Sequence, residues 1–288
     1  MTGEAGPSPE ESTARQPDAE KAVAGSDGAS GAGSDGVFTE ADLTDDKFLC
    51  GKLQLLQPRK GYRAATDPVM LAAACPARPG QSVLDLGCGA GAASLCLASR
   101  VPDLVLSGLE LQPAYADLAR RNGARNTITF TVSTGDLADM PRDLRRGFDQ
   151  VIANPPYYPR AGTPSPLKLR DTAMRAELPL GEWVRVAATR LNPGGWLTMI
   201  FGADGIPEAL AGLDQRMGSA SILPLAPREG RPAGRVILRA RKGGRAAFRL
   251  LPAFVIHHGA AHEGDRESYT PAASKILRNG EGFPADFC

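Results

Sequence analysis

With 288 residues the chain is long enough for one enzyme-sized domain and a tail, and well past the length at which a hydrophobic core is hard to build. Its 42% apolar content is that of a globular protein, and no stretch approaches the roughly 20 uninterrupted apolar residues of a membrane-spanning helix. The formal charge of +1 hides a division: residues 1–46 hold eleven acidic residues against two basic ones, and residues 47–288 hold 31 basic against 21 acidic. A basic folded part suits a polyanionic partner or simply a solubilising surface.

The chain opens on MTGEAGPSPEESTARQ, acidic and polar, without the charged-then-apolar run of a secretory leader, so a cytoplasmic address is expected. Residues 1–40 are mostly Gly, Ser, Ala, Asp, Glu and Pro and bury too little apolar surface to offset the entropy of ordering; they read as a disordered acidic tail. From Phe48 the run FLCGKLQLLQPRKGYRAATDPVMLAAAC groups its apolar residues between Gly61 and Pro68, and residues 41–80 read as an N-terminal elaboration packed on a catalytic domain at 81–288. SVLDL, residues 82–86, is a strand, and GCGAGAASLCLASR a glycine loop opening a helix. LVLSGLE is a second strand ending in Glu110, PAYADLARRNGA a helix stopped near Gly123, ITFTV a third strand before Gly135 and Asp136, and FDQVIA a fourth. LGEWVRVAATRL is a helix, NPGG a turn and WLTMIF a fifth strand. RVILRAR, the KGG turn and AFRLLPAFVIHH read as an antiparallel hairpin closing the sheet. The alternation predicts an α/β fold with a mostly parallel, doubly wound sheet.

Five cysteines, Cys50, Cys75, Cys88, Cys96 and Cys288, are widely spaced with no C-x-x-C pair, so neither a disulfide framework nor a zinc site is indicated. His257, His258 and His262 are the only metal candidates and have no carboxylate or cysteine cluster beside them; no metal is expected.

Gly87, Gly89 and Gly91 stand between a strand and a helix, where absent side chains let the backbone turn tightly and approach a ligand. With Ala92 they also satisfy G-x-G-x-x-A, a dinucleotide pattern in which Glu110 would hold a ribose. Asp85, two residues before the first glycine, argues against a pyrophosphate there, because its carboxylate repels phosphate and attracts a cation. Asp136, just past the third strand, is placed to accept a hydrogen bond from an adenine amino group. The motif Asn154-Pro155-Pro156-Tyr157 follows the fourth strand, at the sheet edge where open α/β folds bind ligands, and it has no role in hydride transfer. Prolines fix φ and lack an N–H, so the Pro155 carbonyl and the Asn154 side-chain carbonyl form two held acceptors suited to a planar NH₂ group, with Tyr157 stacking on the target's flat face. Hydrogen bonds to both acceptors favour the pyramidal amine that attacks a methyl sulfonium, which is stabilisation of charge developing in the transition state.

On these residues the chain resembles the Rossmann-like S-adenosylmethionine-dependent methyltransferases. The resemblance implies that Asp85 and the loop Gly87, Cys88, Gly89 and Gly91 line the methionine end of S-adenosyl-L-methionine, that Glu110 holds the ribose hydroxyls and that Asp136 holds the adenine. The flanks QPRKGYRAATDPVMLAAAC, FVIHHG and SYTPAASKILRNG extend it, from about Phe48 to Gly280, to the tRNA1(Val) adenine-37 N6-methyltransferase family. That family implies a tRNA anticodon loop as substrate and an adenine turned out beside Tyr157. Lys168, Arg170 and Arg175, and a subset of Arg228, Arg231, Arg235, Arg239, Arg241 and Arg245, are then expected to meet phosphates. Tyr62, Arg63 and Asp67 are expected in a lid over the cofactor, with Arg63 reaching a carboxylate, or else in a packed loop. Protein glutamine N5-methylation shares the N-P-P-Y motif, ribosomal RNA guanine N2-methylation is a second alternative, and an RNA-binding module without catalysis is a third of a different class.

Overall fold

Strands β3 (Ser82–Leu86), β4 (Val105–Glu110), β5 (Phe130–Thr134) and β6 (Phe148–Ala153) lie parallel in the order β6-β3-β4-β5. Each is a short run of largely apolar residues because parallel strands are buried on both faces. Alternate side chains enter opposite layers: Val83 and Ile152 join one buried cluster, Leu84, Leu86, Val151 and Ala153 the other. Helices α1 (Thr66–Ala74), α2 (Ala92–Arg100) and α3 (Pro113–Arg125) cover the first face with residues such as Met70, Leu95 and Ala119. Helix α4 (Leu180–Arg190) covers the second through Val184 and Ala187, so the sheet is doubly wound. The structure is a computed structural model that describes residues 36–156, 178–259 and 268–284. Tyr157, Lys168, Arg170, Arg175, His262 and Cys288 lie outside the described residues.

Beyond β6 the sheet continues with β7 (Leu191–Gly202), parallel to β6, and then β9 (Arg235–Lys242), antiparallel to β7 and to β8 (Met217–Arg228). The expected hairpin of RVILRAR with AFRLLPAFVIHH is corrected: the antiparallel pairing at this end of the sheet joins β9 to β8 and β7. RVILRAR pairs with β8, which precedes it, while the chain after the KGG turn forms β10 (Arg249–Leu250) and β11 (Phe254–His257), both parallel to β8. Both edges of β9 are already filled by β7 and β8, which leaves no place for a partner across the KGG turn. NPGG is also corrected: it lies inside β7, where Gly194 has φ +81° and the pairing shifts register between Phe148 and Gln150, an irregular strand start and not a free turn. The sheet has nine strands among the described residues. Helix α5 (Ile206–Ala211) packs beside α4, and α6 (Pro271–Asn279), N-capped by Thr270, returns to the α1 face through Ile276.

The segment before α1 is an antiparallel hairpin of β1 (Leu43–Phe48) and β2 (Leu53–Pro58). Its outer edge is completed by side chains and not by a third strand. Asn122 on α3, fully buried, donates to the Leu56 carbonyl at 3.0 Å and accepts from the Leu56 N–H at 2.8 Å, and Asn126 makes the equivalent pair with Gln54 at 2.9 Å each way. A buried backbone group left without such a partner would cost about 1–3 kcal/mol, so these two amides fix where the hairpin sits. Order reaches back into the stretch read as tail: Phe38 is buried, edge-on to Tyr115 at 5.3 Å.

The chain runs outward from β3 through β4 to β5 and then returns to the other side of β3 as β6. The carboxyl ends of β3 and β6 thus flank the topological switch point, the crevice where open α/β sheets bind ligands. Leu86 pairs with Ala153, so the next residues, Gly87 and Asn154, emerge side by side on neighbouring strands about 4.8 Å apart.

Candidate active site

The glycine loop is built for close approach. Gly87, Gly89 and Gly91 have φ of +67°, +53° and +86°, a region where an L side chain is strained. A Cβ on Gly87 would lie 2.9 Å from the Trp183 ring and one on Gly91 3.0 Å from the Phe130 ring, so these two are required by packing. A Cβ on Gly89 would meet only the Tyr62 ring, at 3.7 Å, and this glycine faces the crevice. The Leu109 carbonyl accepts the N–H groups of Gly87 and Cys88 at 2.8 and 3.0 Å, and Gly91 donates to the Cys88 carbonyl at 2.8 Å. Cys88 is buried, with its sulfur packed where a Cβ on Gly108 would stand, so only its backbone faces the site. Asn122 donates to the Ala90 carbonyl at 3.0 Å, tying the loop to the same residue that seats the N-terminal hairpin.

Acids stand at the ends of three adjacent strands. Asp85, near the end of β3, is 2% exposed, and the Ser94 hydroxyl of α2 donates to its Oδ2 at 2.8 Å. Burial pushes its carboxyl up to about 7, against the Ser94 hydrogen bond and with help from the Glu110 charge. Because that value lies above the unfolded one, ionised Asp85 destabilises the fold; the cost is absent below pH ~4, grows as pH rises and is complete above the folded value. A cation beside it relieves the cost, so the site fits a positively charged sulfonium better than a pyrophosphate. Glu110, at the end of β4, accepts from Gly89 N–H and Gln112 N–H, both at 2.9 Å, one on each oxygen. Burial raises its pKa while these two amides lower it. A carboxylate offers about four lone-pair sites, so acceptor capacity remains beyond these backbone bonds for a ribose hydroxyl. Asp136 is exposed just past β5, and its Oδ1 accepts from Ala138 N–H at 2.8 Å.

Across the switch point, Asn154 is half-buried and its Nδ2 donates to the Tyr62 hydroxyl at 3.0 Å. Pro155 is buried and Pro156 exposed. Tyr157 and the three basic residues Lys168, Arg170 and Arg175 belong to the part of the chain outside the described residues.

Several cations and histidines have other partners than those expected. Arg63 does reach a carboxylate, but it is Asp46 of β1 at 2.6 Å, and the guanidinium also donates to Thr44 Oγ1 and to the Pro58 carbonyl, both at 2.8 Å; it braces the hairpin. Arg235 donates to Asp67 at 3.0 Å. Arg228 is buried and donates to the His258 and Gly259 carbonyls, and Arg239 is buried over the Trp196 ring at 4.7 Å. The expectation that these arginines meet phosphates is corrected for Arg228 and Arg239, which burial removes from any RNA. Arg231 and Arg245 are exposed. His257 stacks on Tyr269 at 4.8 Å. Among the described residues no group of three His, Cys, Asp or Glu side chains is arranged to hold a metal ion. Asn122, Ser94, Tyr115 and Trp183 carry no motif signal in the sequence; their roles arise from what the fold brings beside the loop.

Acids at the ends of β3 and β4 and just past β5, a glycine loop beside them and Asn154 across the switch point suit a sulfonium donor and an amine acceptor, the requirements of an S-adenosylmethionine-dependent N-methyltransferase. The methyltransferase small domain family matches residues 66–219, more than half of the chain, from the start of α1 into β8. A tRNA1(Val) (adenine(37)-N6)-methyltransferase of Porphyromonas gingivalis is 30% identical over 176 residues, covering 58% of this chain and 69% of the relative. The chain belongs to the tRNA1(Val) (adenine(37)-N6)-methyltransferase family. A release factor glutamine methyltransferase of Geobacter sulfurreducens is 34% identical over 146 residues, 48% of this chain and 50% of the relative. Among solved structures, a predicted O-methyltransferase of Agrobacterium tumefaciens superposes with a TM-score of 0.61 at 26% identity, covering 76% of this chain and 98% of that one. S-adenosyl-L-methionine is the cofactor, and when bound it supplies an electrophilic methyl group on a positively charged sulfur.

Proposed function

We propose that this protein transfers a methyl group to the exocyclic N6 amine of an adenine in tRNA, with position 37 of the anticodon loop as the target and the cytoplasm as its place of action. The observation that carries the reading is Asn154 at the end of β6, directly beside the glycine loop, followed by two prolines. The Asn154 Oδ1 and the Pro155 carbonyl accept the two N–H bonds of the target amine. This draws the nitrogen lone pair out of conjugation with the ring and aims it along the line of attack. The nitrogen–carbon bond forms as the sulfur–carbon bond breaks, its electron pair returning to sulfur. The methylated nitrogen then releases a proton to water, so no strong general base is needed. Asp85 balances the sulfonium charge, Glu110 holds the ribose hydroxyls and Asp136 the adenine of the cofactor. The excess of basic residues in 47–288 supports a nucleic-acid substrate, and relatives named for tRNA adenine 37 support tRNA as that substrate.

A glutamine side-chain amide would satisfy the same two acceptors, and the Geobacter relative favours it as a second reading. Its match covers half of that relative. The two readings separate when unmodified bulk tRNA and a protein extract are offered in parallel with labelled S-adenosylmethionine. N6-methyladenosine in the tRNA is the expected product, and label confined to protein glutamine would contradict the tRNA reading.

A further inference from the structure

Tyr62 lies before residue 66, where the methyltransferase small domain match begins, yet its side chain reaches the centre of the site. The local backbone is arranged for this. Gly61 has φ +103°, a conformation open to glycine, and turns the chain after β2 back toward the glycine loop. Behind it Tyr115 of α3, buried, donates its hydroxyl to the Tyr62 carbonyl at 3.1 Å, and a Cβ on Gly61 would lie 3.0 Å from that same hydroxyl. In front, the Tyr62 ring crosses Gly89 and its hydroxyl meets Asn154 Nδ2 at 3.0 Å. The residue is 53% exposed, so filling the core does not account for a large aromatic here. The strap therefore joins the N-terminal segment, the cofactor loop and the asparagine in one line.

We propose that Tyr62 is a positioning residue for methyl transfer, holding the Asn154 amide so that its Oδ1 faces the target amine. The proposal rests on the reading of Asn154 Oδ1 as an acceptor for the amine N–H. A primary amide accepts at one end and donates at the other, and a half-turn about its last torsion would set Nδ2–H against the N–H of the target, donor against donor. With the target on Oδ1, the Nδ2 end has only hydrogens to offer and requires an acceptor on its far side. The Tyr62 hydroxyl oxygen is that acceptor. A tyrosine hydroxyl can both donate and accept, so the target amine and Tyr62 together select the productive amide orientation.

The test is Tyr62→Phe, which keeps the ring over Gly89 and removes only the hydroxyl. With a tRNA1(Val) transcript and saturating S-adenosylmethionine, kcat is expected to fall about fivefold to tenfold, the scale of one lost hydrogen bond. The KM for RNA and the Kd for cofactor should stay within about twofold, because the hydroxyl acts on the reacting geometry and not on uniform binding. In single-turnover measurements Tyr62→Phe combined with Asn154→Ala should react no more slowly than Asn154→Ala alone, since nothing is left to position. Parental kcat in Tyr62→Phe beside an impaired Asn154→Ala would overturn the positioning role while leaving the amine clamp standing, and fully additive losses in the double variant would overturn it as well. Parental turnover in Asn154→Ala would instead remove the clamp, and this proposal with it.

Discussion

Asn154→Ala is expected to lower the single-turnover rate by on the order of 10²–10³-fold, the loss seen when one preorganised hydrogen-bonding group is removed from a transition-state site. The affinity for S-adenosylmethionine should change little, because the described contact of this side chain is with Tyr62 and none is with the glycine loop or the strand-end acids. Stability should be nearly unaffected too: the side chain is only half-buried, and its truncation opens no core cavity. Rapid-quench turnover and calorimetric cofactor binding on the same preparation separate these effects. A turnover within a few-fold of the parent would mean that the amine is held by other groups.

Glu110→Ala is expected to act in the opposite sense, raising the cofactor Kd by on the order of 100-fold or more through the loss of charge-assisted hydrogen bonds worth about 1.5–3 kcal/mol each. Two consequences combine. The ribose loses its acceptor, and Gly89 N–H loses the carboxylate that fixes the crevice-facing glycine of the cradle. Gln112 N–H, at the N-terminus of α3, loses its partner as well. At saturating cofactor the chemical step should recover most of its rate, since the amine clamp follows β6, which β3 separates from β4. Equilibrium binding of S-adenosylmethionine checks the first effect, and an unchanged Kd would take Glu110 out of the cofactor site.

The parallel half of the fold and the skeleton of the site are legible in the sequence because they follow from local rules. SVLDL, VLSGLE and FDQVIA are short runs ended by glycine, acid or proline, and strand pairing at the switch point then brings Gly87 beside Asn154 without further information. The antiparallel half is harder for a physical reason. β8 contains Pro224 and Pro227, residues that disfavour a central strand, yet Pro224 falls between the parts of β8 that pair with β10 and with β11 and so removes no donor that either strand uses. The arginines show a second limit. Charge alone does not tell which of six C-terminal arginines could meet phosphates: β9 is an interior strand and its Arg239 is buried over Trp196. The third limit is long range: Asn122 looks like a polar helix residue, and only tertiary placement gives it Leu56 and Ala90 as partners. The Tyr62 to Asn154 contact is of the same kind, joining residues far apart in the chain.

The most direct test of the account compares two tRNA1(Val) transcripts under identical conditions, one with adenine at position 37 and one with guanine there, using labelled S-adenosylmethionine and nucleoside analysis of the product. N6-methyladenosine is expected from the first transcript and no methylation of the second. Equal labelling of both, or label recovered in any nucleoside other than N6-methyladenosine, would contradict it.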